Sequence, residues 1–384
     1  MLFTAFAVIG IYSSCKKNDL SNGGEPRIDY IRITAPESSD SLLAAAGQGR
    51  LIAIIGENLQ EATEVWFNDQ RSVLTPTYIT NTSIIVSVPT KIPATITNKI
   101  RIVFASGKEL LHDFSVSISK PTVTSMLSEY VNEGDIAVIS GNYFYAPVSV
   151  TFTGGAKGEL VSVKDGEVQV RVPAGAQPGP ITVKTNFGET KSNFWFRDNR
   201  NLIITGDEVS NGWWPTYLVT NPGSDGPPKI SGNYYRYKKQ VKEWVWDAPE
   251  VAGGAATSLS SSKNVPNAAI LKPEDYYMKF EINTMKPYNS NRIVFNVGLS
   301  TSSTDPGTDN AAEDNNNYAW NPPYDSKGKW NTIVIPFEDV YKSYTRKPVI
   351  NPNGYWTRIL IFGPGNLDAD ISFDNLRIVP KIDK

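Results

Sequence analysis

The feature that most narrows what this chain can fold into is a repeat. Residues 26–118 and 121–197 carry the same run of short strand-like segments in the same order. The first copy reads LIAIIGENL, EVWFND, SIIVSVP and KIRIVFASGKEL; the second reads IAVISGNYF, VSVTFTG, EVQVRVP and PITVKTNFGET. Gly56 corresponds to Gly141, Pro89 to Pro173 and Gly107 to Gly188, at separations of roughly 80 to 85 residues, the scale of a small β-sandwich. Within each segment apolar and polar residues alternate, and Gly, Pro or Asn bounds it. That is the pattern of strands half-buried against a core, and no helical period runs through the region. The proline closing each V-x-V-P run has no N–H and stops the strand from pairing further.

The order of apolar strand, Gly, strand, V-x-V-P, strand and Gly resembles the IPT/TIG family of immunoglobulin-like domains. The resemblance rests on Gly56-Glu57-Asn58-Leu59, Val86-Ser87-Val88-Pro89 and Ser106-Gly107 in the first copy. In the second it rests on Gly141-Asn142-Tyr143-Phe144, Val170-Arg171-Val172-Pro173 and Phe187-Gly188. It implies two tandem Ig-like sandwiches serving as a stalk. The stalk's large aromatics, Trp66 and Trp195, sit in strand contexts that favour burial over ligand contact.

Beyond Arg200 the texture changes. Seven of the nine Trp and twelve of the eighteen Tyr lie in residues 200–384, so aromatic density roughly doubles there. Strand candidates recur at 201–205, 234–237, 242–246, 275–284, 292–300, 332–336, 357–362 and 371–379, which suggests a jelly-roll-like sandwich. Two stretches lack strand character: the Gly/Ala/Ser-rich 252–264 and the Asp/Asn-rich 301–317. The expected fold is all-β, with two tandem Ig-like (IPT/TIG) β-sandwiches at 26–119 and 120–199 followed by a larger jelly-roll-like β-sandwich at 200–384.

The remaining segment, 1–25, reads as a lipoprotein signal and tether. Leu2–Tyr12 is uncharged and apolar, too short to span a bilayer, and leads into Ser13-Ser14-Cys15. Small residues before a lone Cys suit lipid attachment at Cys15, although no basic residue precedes the apolar run, so the true start is expected upstream. The polar stretch from Lys16 to Glu25 then serves as a flexible tether.

Composition removes several function classes. A formal net charge of −2 and scattered basic residues give no footprint for nucleic acid. One Cys and one His leave no disulfide, no His- or Cys-rich metal site and no Cys-His nucleophilic pair unless Cys15 and His112 meet. Asp305, Asp309, Glu313 and Asp314 match no calcium-loop spacing and read as a solvated acidic loop. No cofactor or metal is expected.

What remains is binding through aromatic rings. Sugar rings present flat C–H faces that stack on indole or phenol, with polar neighbours bonding the hydroxyls. Candidates are Trp213 and Trp214 in SNGWWPTY, Trp244, Trp246 and Asp247 in KEWVWDAP, and Tyr318, Trp320, Asn321 and Tyr324 in YAWNPPY. Trp244 and Trp246 would share one face of a strand, Trp246 being the exposed one beside its turn. The Asn-Pro-Pro run implies a loop with its rings at the surface. Trp330 and Phe280 read as core, Tyr234 to Tyr237 as ambiguous, and Tyr355-Trp356 as an edge cap or a stacking pair.

Glycoside hydrolysis would need two carboxylates on one concave face. Glu243, Asp247, Glu281 and Asp374 are the candidates, a solvated carboxylate is the default for each, and no pair stands out. The alternatives to glycan binding are an extracellular adhesin that meets protein and a hydrolase accessory with weak catalysis.

The C-terminal segments SGNYYRY, EWVWD, YYMKFEINT, KWNTIVIPF and DISFDNLRIV, following tandem IPT/TIG-type repeats, make the chain similar to the surface glycan-binding lipoproteins of Bacteroidota polysaccharide utilisation loci. The nearest group in character is that with a xyloglucan-binding-type C-terminal domain. The resemblance implies non-catalytic capture of a β-glucan such as xyloglucan, with Trp213 or Trp214 and Trp246 as the platform positions. It also implies a lipid anchor in the outer membrane facing outward, and a TonB-dependent transporter with its partner lipoprotein as neighbours. Lys16-Lys17-Asn18-Asp19 departs from the acidic run that usually marks surface export.

Overall fold

The computed structural model describes residues 24–38, 40–207, 217–245, 250–253, 265–299, 317–344, 350 and 355–382. They belong to two compact units, Met1–Ile118 and Ser119–Lys384.

The first unit is a sandwich of two antiparallel sheets. One joins Arg27–Ile33, Leu51–Glu57 and Ser83–Ser87; the other runs Gln70–Arg71, Ala62–Phe67, Lys99–Phe104 and Glu109–Asp113. The alternation read from the sequence places Ile52, Ile54, Val65, Phe67, Ile84, Ile100 and Ile102 between them, fully or almost fully buried. Each such side chain contributes roughly 1.5 to 3 kcal/mol of transfer free energy. Trp66 lies on the outer face instead, half-buried under the Arg101 guanidinium at 5.0 Å.

The second unit opens with a sandwich of the same plan. Thr122–Met126, Ile136–Asn142, Glu167–Arg171 and Glu159–Lys164 form one sheet, and Ser149–Thr153, Gln177–Thr185 and Gly188–Phe196 the other. Val150, Phe152, Val168, Ile181 and Phe196 fill its centre. The two copies share a close backbone crossing. A Cβ on Gly56 would lie 2.0 Å from the carbonyl oxygen of Arg27, and one on Gly141 would lie 1.9 Å from that of Thr122, so only glycine fits either place. Trp195 is half-buried on the outside, 4.4 Å beneath the guanidinium of Arg200.

The unit continues into a larger sandwich. Its main sheet is ordered Leu218–Val219, Tyr234–Val241, Leu367–Pro380, Tyr276–Thr284 and Asn331–Pro336, with Leu202–Ile204 also paired to Leu367–Pro380. A four-stranded sheet, ordered Glu250–Gly253, Trp356–Ile361, Ile293–Leu299 and Tyr318–Trp320, packs over it. Tyr237, Phe280, Phe295, Ile359 and Phe373 meet in the core, where the rings of Phe280 and Phe295 are 4.9 Å apart. Trp330 and Phe280 are buried, as expected; Tyr234, Tyr235, Tyr237 and Tyr355, which the sequence left open, are buried too. Short helices at Asn267–Leu271 and Phe337–Lys342 occupy stretches between the strand candidates, and the strand Glu250–Gly253 reaches into the start of 252–264, a stretch expected to be strandless.

The face of the main sheet turned away from this core is also covered. The loop after Thr122–Met126 docks onto it, and Thr332 donates its amide to the carbonyl of Leu127 at 2.8 Å. Beneath that loop Glu129 accepts hydrogen bonds from Lys279 (2.7 Å) and Arg377 (2.6 Å). Arg377 also donates to Glu281 at 2.9 Å, and the Thr332 hydroxyl links the Glu129 amide to the Glu281 carboxylate. Asp198, clasped by Arg200 through two 2.8 Å bonds, lies 3.7 Å from the Lys279 ammonium. Burial disfavours the Arg377 charge, but Glu129 and Glu281 more than offset it and raise its pKa. Asp198 is likewise penalised by burial, yet Arg200, Arg377 and Lys279 hold it below the ordinary carboxylate range.

Removing one partner of such a group leaves the others charged and dry. Arg377→Leu is expected to lower unfolding free energy by about 3 to 5 kcal/mol in urea titrations. A loss under about 1 kcal/mol would mean that water reaches the cluster.

Candidate functional site

The strand Tyr234–Val241 ends just before the 242–246 strand proposed from sequence would begin. Lys242 to Val245 is a turn, because Trp244 adopts φ +52° and donates its amide to the carbonyl of Gly363 at 2.9 Å. Glu243 reinforces the attachment: its amide bonds the Asn366 side chain at 3.1 Å, and its carboxylate accepts the Gly365 amide at 3.3 Å. The reading of Trp244 as the buried member of a strand pair is therefore corrected. Its side chain is 53% exposed, held edge-on by Phe362 at 5.4 Å and capped by the Arg292 guanidinium at 4.9 Å. A bulky ring in the left-handed region is an uncommon arrangement that persists only where its surroundings dictate it.

The Tyr318 to Tyr324 segment sits at the neighbouring edge. Tyr318–Trp320 is a strand rather than a loop, paired so that Ile293 lies opposite Trp320. Period two points the Tyr318 and Trp320 rings inward, where both pack half-buried against the core. Trp320 stacks on Tyr288 at 5.6 Å, meets Phe280 at 5.7 Å and Tyr324 at 5.0 Å, and its carbonyl accepts the Tyr288 hydroxyl at 2.6 Å. The expected surface rings are thus partly committed to the fold. The loop begins only at Asn321, which is exposed, and passes through a cis Pro322-Pro323 bond to Tyr324. Since Phe362 donates its amide to the Arg292 carbonyl, one step from Ile293, the Trp244 turn and the Trp320 edge belong to the same end of the four-stranded sheet.

Trp213, Trp214, Trp246 and Asp247 lie outside the described residues, as do Cys15, most of the tether and the acidic residues of 301–316. Sequence reasoning passed over Arg292 and Phe362, the partners of Trp244. No local signal marks them, because the turn and the strand end that carry them meet only in the folded sheet.

A cleft of about 430 Å³ runs between the second Ig-like sandwich and the main sheet, with Tyr277, Tyr324, Asn331 and Val334 along it. Its charged members, Lys279 and Glu129, are bonded to each other.

Of the carboxylates weighed for hydrolysis, Glu243 is exposed as expected and Asp247 lies outside the described residues, but Glu281 and Asp374 are not solvated. Glu281 is fully buried and Asp374 is 3% exposed, because the docked loop covers the outer face of the sheet. Burial raises the Glu281 carboxyl, with Arg377 opposing, and raises Asp374 well above the ordinary value, with the amides of Asn375 and Gly206 opposing. Neither presents an oxygen to a substrate.

A sequence profile of the surface glycan-binding protein B xyloglucan binding domain matches residues 196–380. An IPT/TIG domain-containing protein of Bacteroides ovatus is 33% identical over 138 residues, which is 34% of this chain and 28% of that protein's length. The surface glycan-binding protein PbSGBP-B of Prevotella bryantii has a crystal structure that superposes with a TM-score of 0.67 at 22% identity, over 93% of this chain and 99% of that one. The SGBP-B from a complex xyloglucan utilization locus of Bacteroides uniformis superposes with a TM-score of 0.50 at 15% identity, over 93% of this chain and all of that one. At these identities the superpositions establish a shared fold. The matched family is one of glycan-binding proteins rather than enzymes, and its name puts its members at the cell surface.

A raised pKa means that the folded state binds the Asp374 proton more tightly than the unfolded chain does, so its stabilising contribution is full at low pH and lost as pH rises. Asp374→Asn is expected to match the native chain near about pH 4 and to exceed it progressively toward neutrality in urea titrations. Greater destabilisation at neutral than at acid pH would contradict a protonated Asp374.

Proposed function

We propose, from the membership of residues 196–380 in the surface glycan-binding protein B xyloglucan-binding domain family, that this chain captures a β-glucan-type glycan, xyloglucan or a near relative, without cleaving it. The observation that carries the reading is Trp244: an indole kept open to solvent by a left-handed turn, on the domain that the family match covers. Its open face suits the C–H face of a pyranose, with the Arg292 guanidinium on the ring and Glu243 next to it in sequence as hydroxyl partners, and exposed Asn321 at the same end of the four-stranded sheet. Trp213, Trp214, Trp246 and Asp247 complete the proposed platform, Trp246 and Asp247 lying two and three residues after Trp244. Tyr318, Trp320 and Tyr324 form the supporting edge, with what remains exposed of their rings available to the ligand.

The same reading has the mature protein anchored in the outer membrane by lipid on Cys15, facing outward beside a TonB-dependent transporter and its partner lipoprotein. The apolar run ending at the chain's single Cys supports the anchor. Three sandwiches in series, at 26–119, 120–199 and 200–384, then act as stalk and binding head. Only the first of the two joints is read as a separation of compact units, since the other is crossed by the Glu129 to Arg377 cluster.

Trp244→Ala is expected to weaken binding of a xyloglucan oligosaccharide by about 1 to 3 kcal/mol in isothermal titration, by analogy with nucleobases stacked on aromatic side chains. Thermal stability should be retained. Undiminished affinity would remove Trp244 from the site. Trp320→Ala is expected instead to cost roughly 2 to 4 kcal/mol of stability, because it empties a half-buried aromatic contact. Incubated with β-glucan, the native chain should release no reducing sugar above background; release that scales with protein concentration would favour the hydrolase alternative.

A further inference from the structure

Ten non-glycine residues among those described have a left-handed backbone, and six of them are asparagine, the side chain best suited to it. Just two are aromatic: Trp244 and, in the second Ig-like sandwich, Tyr143 at φ +61°. Tyr143 is also exposed, at 38%.

The repeat supplies a control for that residue. The equivalent position in the first sandwich is Asn58, at φ +57°. Both follow the glycine that permits the backbone crossing, and both precede a buried apolar residue, Leu59 or Phe144. The fold thus obtains its turn from asparagine in one copy, so the ring of Tyr143 is surplus to the turn. Two more positions behave the same way. Gln60 and Ser106, both exposed, are replaced in the second copy by Tyr145 and Phe187. The three rings meet: Tyr143 and Tyr145 are 6.0 Å apart, and Phe187 stands edge-on to Tyr145, also at 6.0 Å. Tyr145 and Phe187 are half-buried, and exposed Asn142, Asn186 and Glu189 lie alongside in sequence.

We infer that Tyr143, Tyr145 and Phe187 form a second glycan contact on the Ig-like sandwich, which stacks on sugar rings of the same polysaccharide chain that the C-terminal sandwich holds. This rests on the proposed function for the class of ligand. Rings flanked by carboxamide and carboxylate groups fit a hydroxyl-rich chain, and the first sandwich, with Asn, Gln and Ser at these positions, offers no such surface. Two contacts within one compact unit make the second binding event intramolecular, so a polymer gains from both while a short oligosaccharide occupies one.

The test exchanges the three residues for those of the first copy in the full chain: Tyr143→Asn, Tyr145→Gln and Phe187→Ser. Xyloglucan polymer and a xyloglucan heptasaccharide serve as probes in affinity gels and titration calorimetry, with circular dichroism as the check on folding. Polymer affinity should fall by about fivefold or more while heptasaccharide affinity stays the same. Polymer affinity within about twofold of native, in a folded triple variant, overturns the inference. Should the triple variant fail to fold, Tyr143→Asn alone gives the turn its best-suited residue, and the same two outcomes apply to it at about half the free-energy effect. A native chain that binds polymer but not heptasaccharide, and loses polymer in the triple variant, would sustain this contact while refuting the C-terminal platform. A native chain that binds neither probe refutes both.

Discussion

The second compact unit depends on ions that water does not reach. Arg377 and Lys279 project from the outer face of the main sheet, and the carboxylate of Glu129 arrives from the neighbouring sandwich to meet both. An isolated charge buried there would cost several kcal/mol, so the two sandwiches have to close in one register for each charge to find its partner. The result is a joint specified by charge placement rather than by apolar area, with Tyr130 lying under the Arg377 guanidinium at 5.2 Å as its apolar seal. The position of the C-terminal sandwich, and of the surface proposed on it, relative to the second Ig-like sandwich follows from that closure.

The proposed site lies on the other sheet of the same sandwich, at one end of the four-stranded sheet that packs on the opposite face of the main sheet. The core of Phe280, Phe295 and Phe373 fixes the four-stranded sheet, and Tyr288 and Trp320 lock the end of it with a stack and a hydrogen bond. That firm edge holds Arg292 and Phe362, and they in turn hold Trp244 in a backbone conformation that its side chain disfavours. Ordering a ring before the ligand arrives reduces the entropy lost on binding, which suits a surface whose single contacts are weak.

Much of the fold was legible in the sequence because it rests on local rules. Gly56 and Gly141 mark the backbone crossing, Pro89 and Pro173 close their strands, and alternation gives the inward residues without reference to anything distant. The C-terminal strands were readable for the same reason, apart from the ends. The turn at Trp244 was not: it depends on the carbonyl of Gly363, more than a hundred residues away, and period two within KEWVW mimicked a strand. Glu281 was assigned to the correct face but to the wrong medium, since nothing near it in sequence announces that Glu129 will cover it. In the YAWNPPY segment the prolines predicted a loop, which begins at Asn321, while the pairing of Trp320 with Ile293 that draws its ring inward is a long-range event.

The most direct measurement is a crystal structure of the full chain with a xyloglucan oligosaccharide. A glucosyl ring stacked on the open face of Trp244, with Arg292 or Asn321 on its hydroxyls, is the predicted result. An oligosaccharide seated elsewhere, with Trp244 bare, would contradict it.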